Sequence, residues 1–437
     1  MSTTLMINNK IKPMKKIVFY ISIISILLVA CQSKSIKNIS FKGDLIAKNI
    51  LTVQCEFPEN SNNVEYSWYS SASLDGEWEK LPGIWSNEIV LLTSYVDKYI
   101  KCEISCVIEN DDERISTSVV SPKKVEFKGN PNTDWFCDAG YGIMIHYLKP
   151  AIVPDGGEKE WNEAVNGFDV SLFASQANEA GAGFVLFTLG QNSGYYCSPN
   201  SVYDEVLGIK PGELCSTRDL PGDLITELNK YEIPLLLYLP GNPPRSNNLV
   251  SEKFHYPLKD SATSQFNQPI LESMIREWSL RYGTDLKGWW FDGLYQRNNI
   301  RGTRMDMSLK HNISSHTLAA KAGNKHSIIT YNSGFGKISS NTPYCDYSSG
   351  EKRTIDEFPS GRWIEDGVQW FLFTYLGEKW GGKGQQFKTD ELVKKAEQIV
   401  QNEGVLCLEI VADAKGEILP HHLEQIKAVG KKLGKVK

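Results

Sequence analysis

What this sequence has little of already narrows its function. The apolar run at residues 17–30 falls short of the roughly 20 residues that a membrane-spanning helix needs. Positive charge is not in excess: 47 Lys and Arg stand against 52 Asp and Glu, giving a net charge of -5 and a pI near 5.9, so there is no case for nucleic-acid binding. Metal-ligand spacing is missing as well. Cys137, Cys197, Cys215, Cys345 and Cys407 show no paired CxxC, and the seven histidines show no HExxH, so neither a zinc site nor any other cofactor is expected. Nine cysteines in 437 residues are too few for a disulfide-built scaffold. Cys197 and Cys215 could still bridge a loop, and the adjacent His421 and His422 read as a solvated pair on a late helix.

What is present begins with a leader. Lys15 and Lys16 precede the apolar run, which ends Leu28-Val29-Ala30-Cys31, the order of a signal peptide. Its end resembles the lipobox of bacterial lipoproteins, so residues 1–31 are expected to be a lipoprotein signal with Cys31 as the lipid-modified anchor. That implies a bacterial cell-envelope protein, periplasmic or surface-exposed. Aromatics are abundant, with 11 Trp and 19 Tyr, a composition that serves core packing or stacking on sugar rings.

Residues 36–128 read as short strands. Leu51, Val53, Cys55 and Phe57 alternate with polar residues, as do Tyr66, Trp68 and Ser70, and Ile100, Cys102, Ile104 and Cys106. The order Cys55, Trp68, Tyr99, Cys102 resembles an immunoglobulin-like β-sandwich, in which a tryptophan packs on an inter-sheet disulfide. Cys106 shares a face with Cys102 and is an alternative partner for Cys55. This module reads most simply as a spacer between anchor and enzyme, with carbohydrate binding as the sharper alternative. A linker containing Pro122, Gly129 and Pro131 follows.

From residue 134 to 437 the pattern changes. Apolar runs of strand length at 141–148, 183–189, 233–240, 288–295, 327–333, 344–351, 370–377 and 405–411 alternate with helical segments at 170–180, 220–231, 268–282 and 390–402. Eight such units predict an α/β fold, a (β/α)8 TIM-type barrel, with its active face at the carboxyl ends of the strands. Polar residues gather there: His146, Gln191, Asn192, Tyr238, Asp292, Asn332 and Glu351. Asp292 stands out. It ends the run Gly288-Trp-Trp-Phe-Asp292 and is followed by Gly293, and an unpaired buried carboxylate costs several kcal/mol. It belongs at an open strand end facing a substrate, or it caps a following helix.

In this region Trp135-Phe136, Gly142-Ile-Met-Ile-His146, Glu160-Trp161, Ala180-Gly-Ala-Gly-Phe-Val-Leu-Phe-Thr188, Tyr238, Trp290-Phe-Asp292-Gly and Asp346-Tyr-Ser-Ser-Gly-Glu351 occur in order. Together they resemble the α-L-fucosidases of glycoside hydrolase family 29, as do Gly404-Val-Leu-Cys-Leu-Glu-Ile and the terminal helix at 419–433. The resemblance implies that Asp292 is the nucleophile and Glu351 the acid/base, with Glu365 of Arg362-Trp-Ile-Glu365 as the rival acid. It also implies that His146 bonds a sugar hydroxyl and that Trp161 lies beside the sugar. Tyr238, Trp290 and Asn332 complete the expected substrate contacts. In one place the chain departs from the family, which carries Thr-x-Lys-His-His-Asp-Gly-Phe where this chain has Thr188-Leu-Gly-Gln-Asn-Ser-Gly-Tyr195. Gln191 and Asn192 thus replace a histidine pair; amides still bond hydroxyls, but the preferred sugar can shift. The family's C-terminal β-sandwich finds no counterpart after the terminal helix, so pocket walls are expected from loops or from the N-terminal module.

Retaining glycoside cleavage needs one ionised carboxylate to attack the anomeric carbon and one carboxyl to protonate the leaving oxygen, about 5 to 5.5 Å apart. Asp292 and Glu351 are expected to meet that need, with Trp290 and Tyr295 as aromatic walls. The expected activity is release of terminal α-L-fucose, or a close relative, from an oligosaccharide or polysaccharide. The alternative is a glycan-binding lipoprotein on a decayed glycosidase barrel.

Overall fold

The computed structural model describes residues 35–109, 113–256, 261–295 and 299–436; the leader and Cys31 lie outside them. The N-terminal region is all β. Strands β1 (Lys37–Lys42) and β2 (Ile50–Glu56) form one antiparallel sheet with β5 (Glu88–Val90), and β3 (Ser61–Ser71), β4 (Glu79–Leu81), β6 (Tyr99–Ile108) and β7 (Glu113–Val120) form a second in the order β4-β3-β6-β7. Along β6 every second residue is buried, which turns Ile100, Cys102, Ile104 and Cys106 inward. Trp68 is fully buried, stacks on Phe41 of the opposite sheet at 5.9 Å, and donates its indole N–H to Ser86. The expected inter-sheet disulfide is not formed: Cys55, half-buried on β2, and Cys102 and Cys106, buried on β6, are free thiols. Cys197 and Cys215 are likewise free and buried, so no bridge ties their loop.

The remaining chain is α/β. Strands β8 (Tyr141–Ile145), β9 (Val185–Thr188), β10 (Leu235–Pro240), β11 (Leu286–Asp292) and β12 (Ile328–Tyr331) precede a small hairpin, β13 (Trp363–Ile364) and β14 (Val368–Gln369), after which come β15 (Phe371–Tyr375) and β16 (Val405–Ile410). Seven of these make a curled parallel sheet in the order β12-β11-β10-β9-β8-β16-β15. Helices such as Val170–Glu179, Leu220–Asn229, Ser261–Tyr282, Thr389–Gln401 and Pro420–Lys432 alternate with them.

The remaining expected strand, 344–351, sixth in chain order, is irregular, yet it bonds toward both edges of the curled sheet. Asp346 N–H donates to Ile329 O (2.7 Å) on one side, while Ser348 N–H donates to Gln369 O (3.0 Å) and Phe373 N–H to Gly350 O (2.9 Å) on the other. A regular ladder is broken for two reasons. The Ser348 hydroxyl stands in for backbone, accepting from Phe371 N–H and donating to Phe371 O, both at 2.9 Å. Gly350 takes a φ of +60°, where any Cβ would lie 2.1 Å from Phe371 O.

Inside the curl, Met144, Leu186, Leu236, Tyr238, Trp290, Tyr347, Phe371 and Phe373 pack together. Phe136, from the short helix Asp134–Ala139, lies against Phe184, Tyr347 and Phe371. This plug of rings, each worth roughly 1.5–3 kcal/mol on burial, shuts the end where the strands begin. Polar chemistry is left to the other end. One surface expectation also changes: His422 is buried, its Nδ1 accepting from Val411 N–H (3.1 Å), and His421 is half-buried, its Nε2 against Lys383 O (2.9 Å).

The N-terminal β region is built into the α/β region. Lys48, 1% exposed, donates from Nζ to Pro343 O (2.7 Å) and Cys345 O (3.0 Å), and burial pulls its pKa down against the opposing pull of Asp346. Asn312 Nδ2 donates to Gly83 O, and Lys325 bonds Glu88 and Thr52. Asp346 in turn is paired with buried Lys321 at 2.8 Å and accepts from Asn130. These contacts anchor the segment that leads to Glu351.

Candidate active site

Asp292 is the last residue of β11, and Gly293, at φ +88°, turns the chain away so closely beside Asn242 that a Cβ would meet its amide at 2.6 Å. Three donors converge on the Asp292 carboxylate: Tyr238 Oη on Oδ2 (2.7 Å), with Tyr295 Oη (2.6 Å) and Asn332 Nδ2 (2.9 Å) on Oδ1. An ionised carboxylate, acceptor at both oxygens, satisfies all of them. Tyr238 comes from the middle of β10, directly opposite Trp290 in register, and the two rings stack at 5.2 Å. Burial first, then the Asp292 charge, raises the Tyr238 hydroxyl well above its ordinary pKa, and Tyr295 is raised for the same reasons, so both remain donors.

Asn332 follows β12 and is fully buried. Gly334 N–H donates to its Oδ1 (2.9 Å), which orients the amide so that Nδ2 serves both acids: 2.9 Å to Asp292 Oδ1 and 2.8 Å to Glu351 Oε2. Laid end to end these two bonds limit the separation of the nearest oxygens of the two acids to about 5.7 Å. Glu351 differs from Asp292 in its surroundings. Burial pushes its carboxyl up to about 7 and the Asp292 charge adds to the rise, while the Asn332 hydrogen bond and the positive groups nearby oppose it. It is not paired with Lys352, which binds Asp356 and Glu357.

Of the other sequence-predicted residues, Gln191 and Asn192 line the same cavity as Asp292, Tyr295 and Glu351, a cleft of about 860 Å³. Gln191 is engaged: its Nε2 donates to Tyr238 Oη at 2.8 Å, so it reaches Asp292 through the tyrosine. His146 lies against Tyr238 and Trp380, ring edge to face, and its Nδ1 is taken by Glu409 at 2.5 Å.

Three expectations fail. Trp161 is 1% exposed and donates to Tyr196 O, because its helix, Glu158–Gly167, turns it inward onto Tyr147; it packs and does not flank the cavity. Trp290 is also buried, its N–H on Ser349 O, and supports the site from beneath Tyr238 without walling the cleft. Glu365 is exposed in the turn between β13 and β14, beside Asp366, which accepts from Thr93 of the β region. That turn precedes β15, at the end opposite the cleft, so Glu365 does not meet Asp292.

Two participants were not read from the sequence as site residues. Tyr295, expected as an aromatic wall, is a direct donor to Asp292. Glu409, 2% exposed in β16, holds His146 and accepts from Gly381 N–H. The signal that exposed Asp292, a lone acid in an apolar strand, was there for Glu409 too. Among the described residues no group of three or more His, Cys, Asp or Glu is placed to hold a metal.

A site with two carboxylates held by one amide at the open end of a parallel sheet invites comparison with known proteins. A search of curated proteins finds no match. Among solved structures, an endo-fucoidan hydrolase of glycoside hydrolase family 107, MfFcnA4, superposes with a TM-score of 0.53 at 13% identity, over 70% of this chain and 54% of that one. This chain therefore spans about half of that hydrolase's length. A family 29 α-L-fucosidase from Bacteroides thetaiotaomicron superposes with a TM-score of 0.53 at 16% identity, over 70% of this chain and 75% of its own. At such identities the likeness is one of fold. The sequence model of the α-L-fucosidase family matches residues 158–436, well over half of the protein, and the chain belongs to that family.

Proposed function

We propose that the protein is a retaining exo-glycosidase that releases terminal α-L-fucose, or a closely related sugar, from an oligosaccharide or polysaccharide. The observation that carries this reading is the Asn332 amide shared by Asp292 and Glu351. Asp292, acceptor of three hydrogen bonds, attacks the anomeric carbon. As the glycosidic C–O bond breaks, the proton of Glu351 goes to the leaving oxygen. Glu351, now a carboxylate, takes a proton from the water that attacks the glycosyl-enzyme, Asp292 leaves, and the starting protonation states return. A carboxyl held near 7 suits both halves, as acid then base.

In this reading 344–351 stands as the sixth stave of a (β/α)8 barrel over residues 134–437, after an immunoglobulin-like module at 36–128. His146, fixed by Glu409, and Asn192 supply sugar contacts, while Tyr238 and Asn332 set the nucleophile. Residues 1–31 act as a lipoprotein leader that places Cys31 in the cell envelope; Cys31→Ala then moves the protein from the membrane fraction to the soluble one.

The test is hydrolysis of a panel of aryl α-glycosides and fucosylated oligosaccharides, with the anomer of the first product read by NMR. Wild type is expected to release the α-anomer first, and Asp292→Ala to abolish turnover while glycan binding persists. Wild-type binding without turnover on every substrate would establish the glycan-binding alternative.

A further inference from the structure

The cleft carries more positive charge than a neutral fucoside can use. Its lining contains two carboxylates, Asp292 and Glu351, of which one must hold a proton, and three cations, Arg245, Arg301 and Lys337. This excess stands in a chain whose net charge is -5. Arg245 lies on the loop after β10 and Lys337 on the loop after β12, which flank the strand bearing Asp292. Both are exposed, and neither is ion-paired among the described residues. Arg353, also exposed, stacks over the half-exposed ring of Phe335, which lines the same cleft. The acids that follow in sequence, Asp356 and Glu357, are both held by Lys352. Lys123, Lys230, Arg218 and Arg281 elsewhere each have a carboxylate partner, whereas Arg245 and Lys337 are left over for a ligand.

Volume points the same way. About 860 Å³ lies near the top of the about 300–1,000 Å³ range of small-molecule sites, more than one sugar ring occupies. We propose that the cleft takes an anionic glycan, an α-L-fucoside bearing a sulfate ester or a carboxylate on the fucose or its neighbour, with Arg245 and Lys337 as the residues that select it. A carboxylate offers two oxygens and a sulfate ester three to a guanidinium or ammonium group, and cations around an open cleft also raise the local concentration of a negative ligand. This inference rests on the glycosidase reading of the same site.

The experiment is calorimetric titration of the protein with three fucosylated oligosaccharides of one backbone: neutral, sulfated and uronate-bearing. At low salt one of the anionic ligands is expected to bind at least about tenfold more tightly than the neutral one, and the advantage to shrink as salt is raised to about 0.3 M. Which anion wins identifies the substituent. The Arg245→Gln/Lys337→Gln double variant, and each single variant alongside it, is expected to cut the anionic-to-neutral ratio at least about fivefold, with Arg245→Lys retaining part of it. Equal or better binding of the neutral glycan, or a ratio undiminished in the variants, overturns the proposal. Turnover of all three oligosaccharides and of neutral and sulfated aryl α-L-fucosides is followed separately. No turnover of any of them with anion preference intact sinks the hydrolase reading alone; turnover without that preference sinks this one alone.

Discussion

Replacing Glu351 by Gln keeps the shape of the side chain and its acceptor oxygen for Asn332 while removing the proton that titrates. The carboxyl sits at about 7 because it is buried beside the Asp292 charge. The first step needs its acid form, so activity is lost as pH rises through that value. One proton with a midpoint at about 7 leaves about 0.9 of the enzyme competent at pH 6 and about 0.1 at pH 8, a tenfold fall in kcat/KM across that interval. In Glu351→Gln this basic limb disappears, and kcat/KM on an oligosaccharide with an alkoxide leaving group drops by about 10² to 10⁴, the usual contribution of a positioned acid. A dinitrophenyl fucoside, whose leaving group needs no proton, separates the steps. Glycosylation of Asp292 proceeds, hydrolysis without a base becomes limiting, and stopped-flow absorbance shows a burst that added azide relieves. Steady-state rates from pH 5 to 9, with Glu365→Gln as control, complete the assay. If Glu351→Gln retains the wild-type basic limb, or loses less than about threefold on the oligosaccharide, the acid is another group and the pairing through Asn332 is not catalytic.

Other substitutions bear on the neighbouring links. Asn332→Ala leaves both acids without their shared donor and is expected to lower kcat/KM at least about tenfold, with charged hydrogen bonds worth about 1.5–3 kcal/mol each; rates within twofold of wild type refute this. Trp161→Ala opens a cavity beside Tyr147 and costs about 3–5 kcal/mol in urea unfolding, while KM of the folded fraction stays constant. A raised KM there would return Trp161 to the sugar. Lys321→Met leaves Asp346 charged and 2% exposed, at a cost of about 3–5 kcal/mol, and the Lys321→Met/Asp346→Asn pair recovers part of it; equal losses in both variants would refute a charge-based account.

Asp292 was legible because its apolar neighbours are buried on both faces of a parallel strand, which makes one acid conspicuous at any register. The alternation of β6 was legible for the opposite reason, a single buried face with period two. What could not be read was which way an aromatic ring turns once its element is placed. Trp161 and Trp290 have the composition of a sugar platform, and only the packing of Tyr147 and Tyr238 against them decides that they are support. The irregularity of 344–351 depends on a serine hydroxyl replacing a backbone rung, a choice invisible to hydropathy. Disulfides failed similarly, since cysteine spacing says which thiols share a face and not whether two of them meet in bonding geometry.

Lys48 gives the N-terminal region a standing that a spacer would not have. Its ammonium group, buried between the carbonyls of Pro343 and Cys345, belongs by sequence to one region and by solvation to the other. Each half therefore completes the other's interior, and a single melting transition in calorimetry is the expected outcome. Cutting the chain near residue 128 would strip the stretch that presents Glu351 of its ceiling. Exchanging the front half for an unrelated module would leave the Pro343 and Cys345 carbonyls buried without their cationic donor, so a replacement would have to bring one of its own.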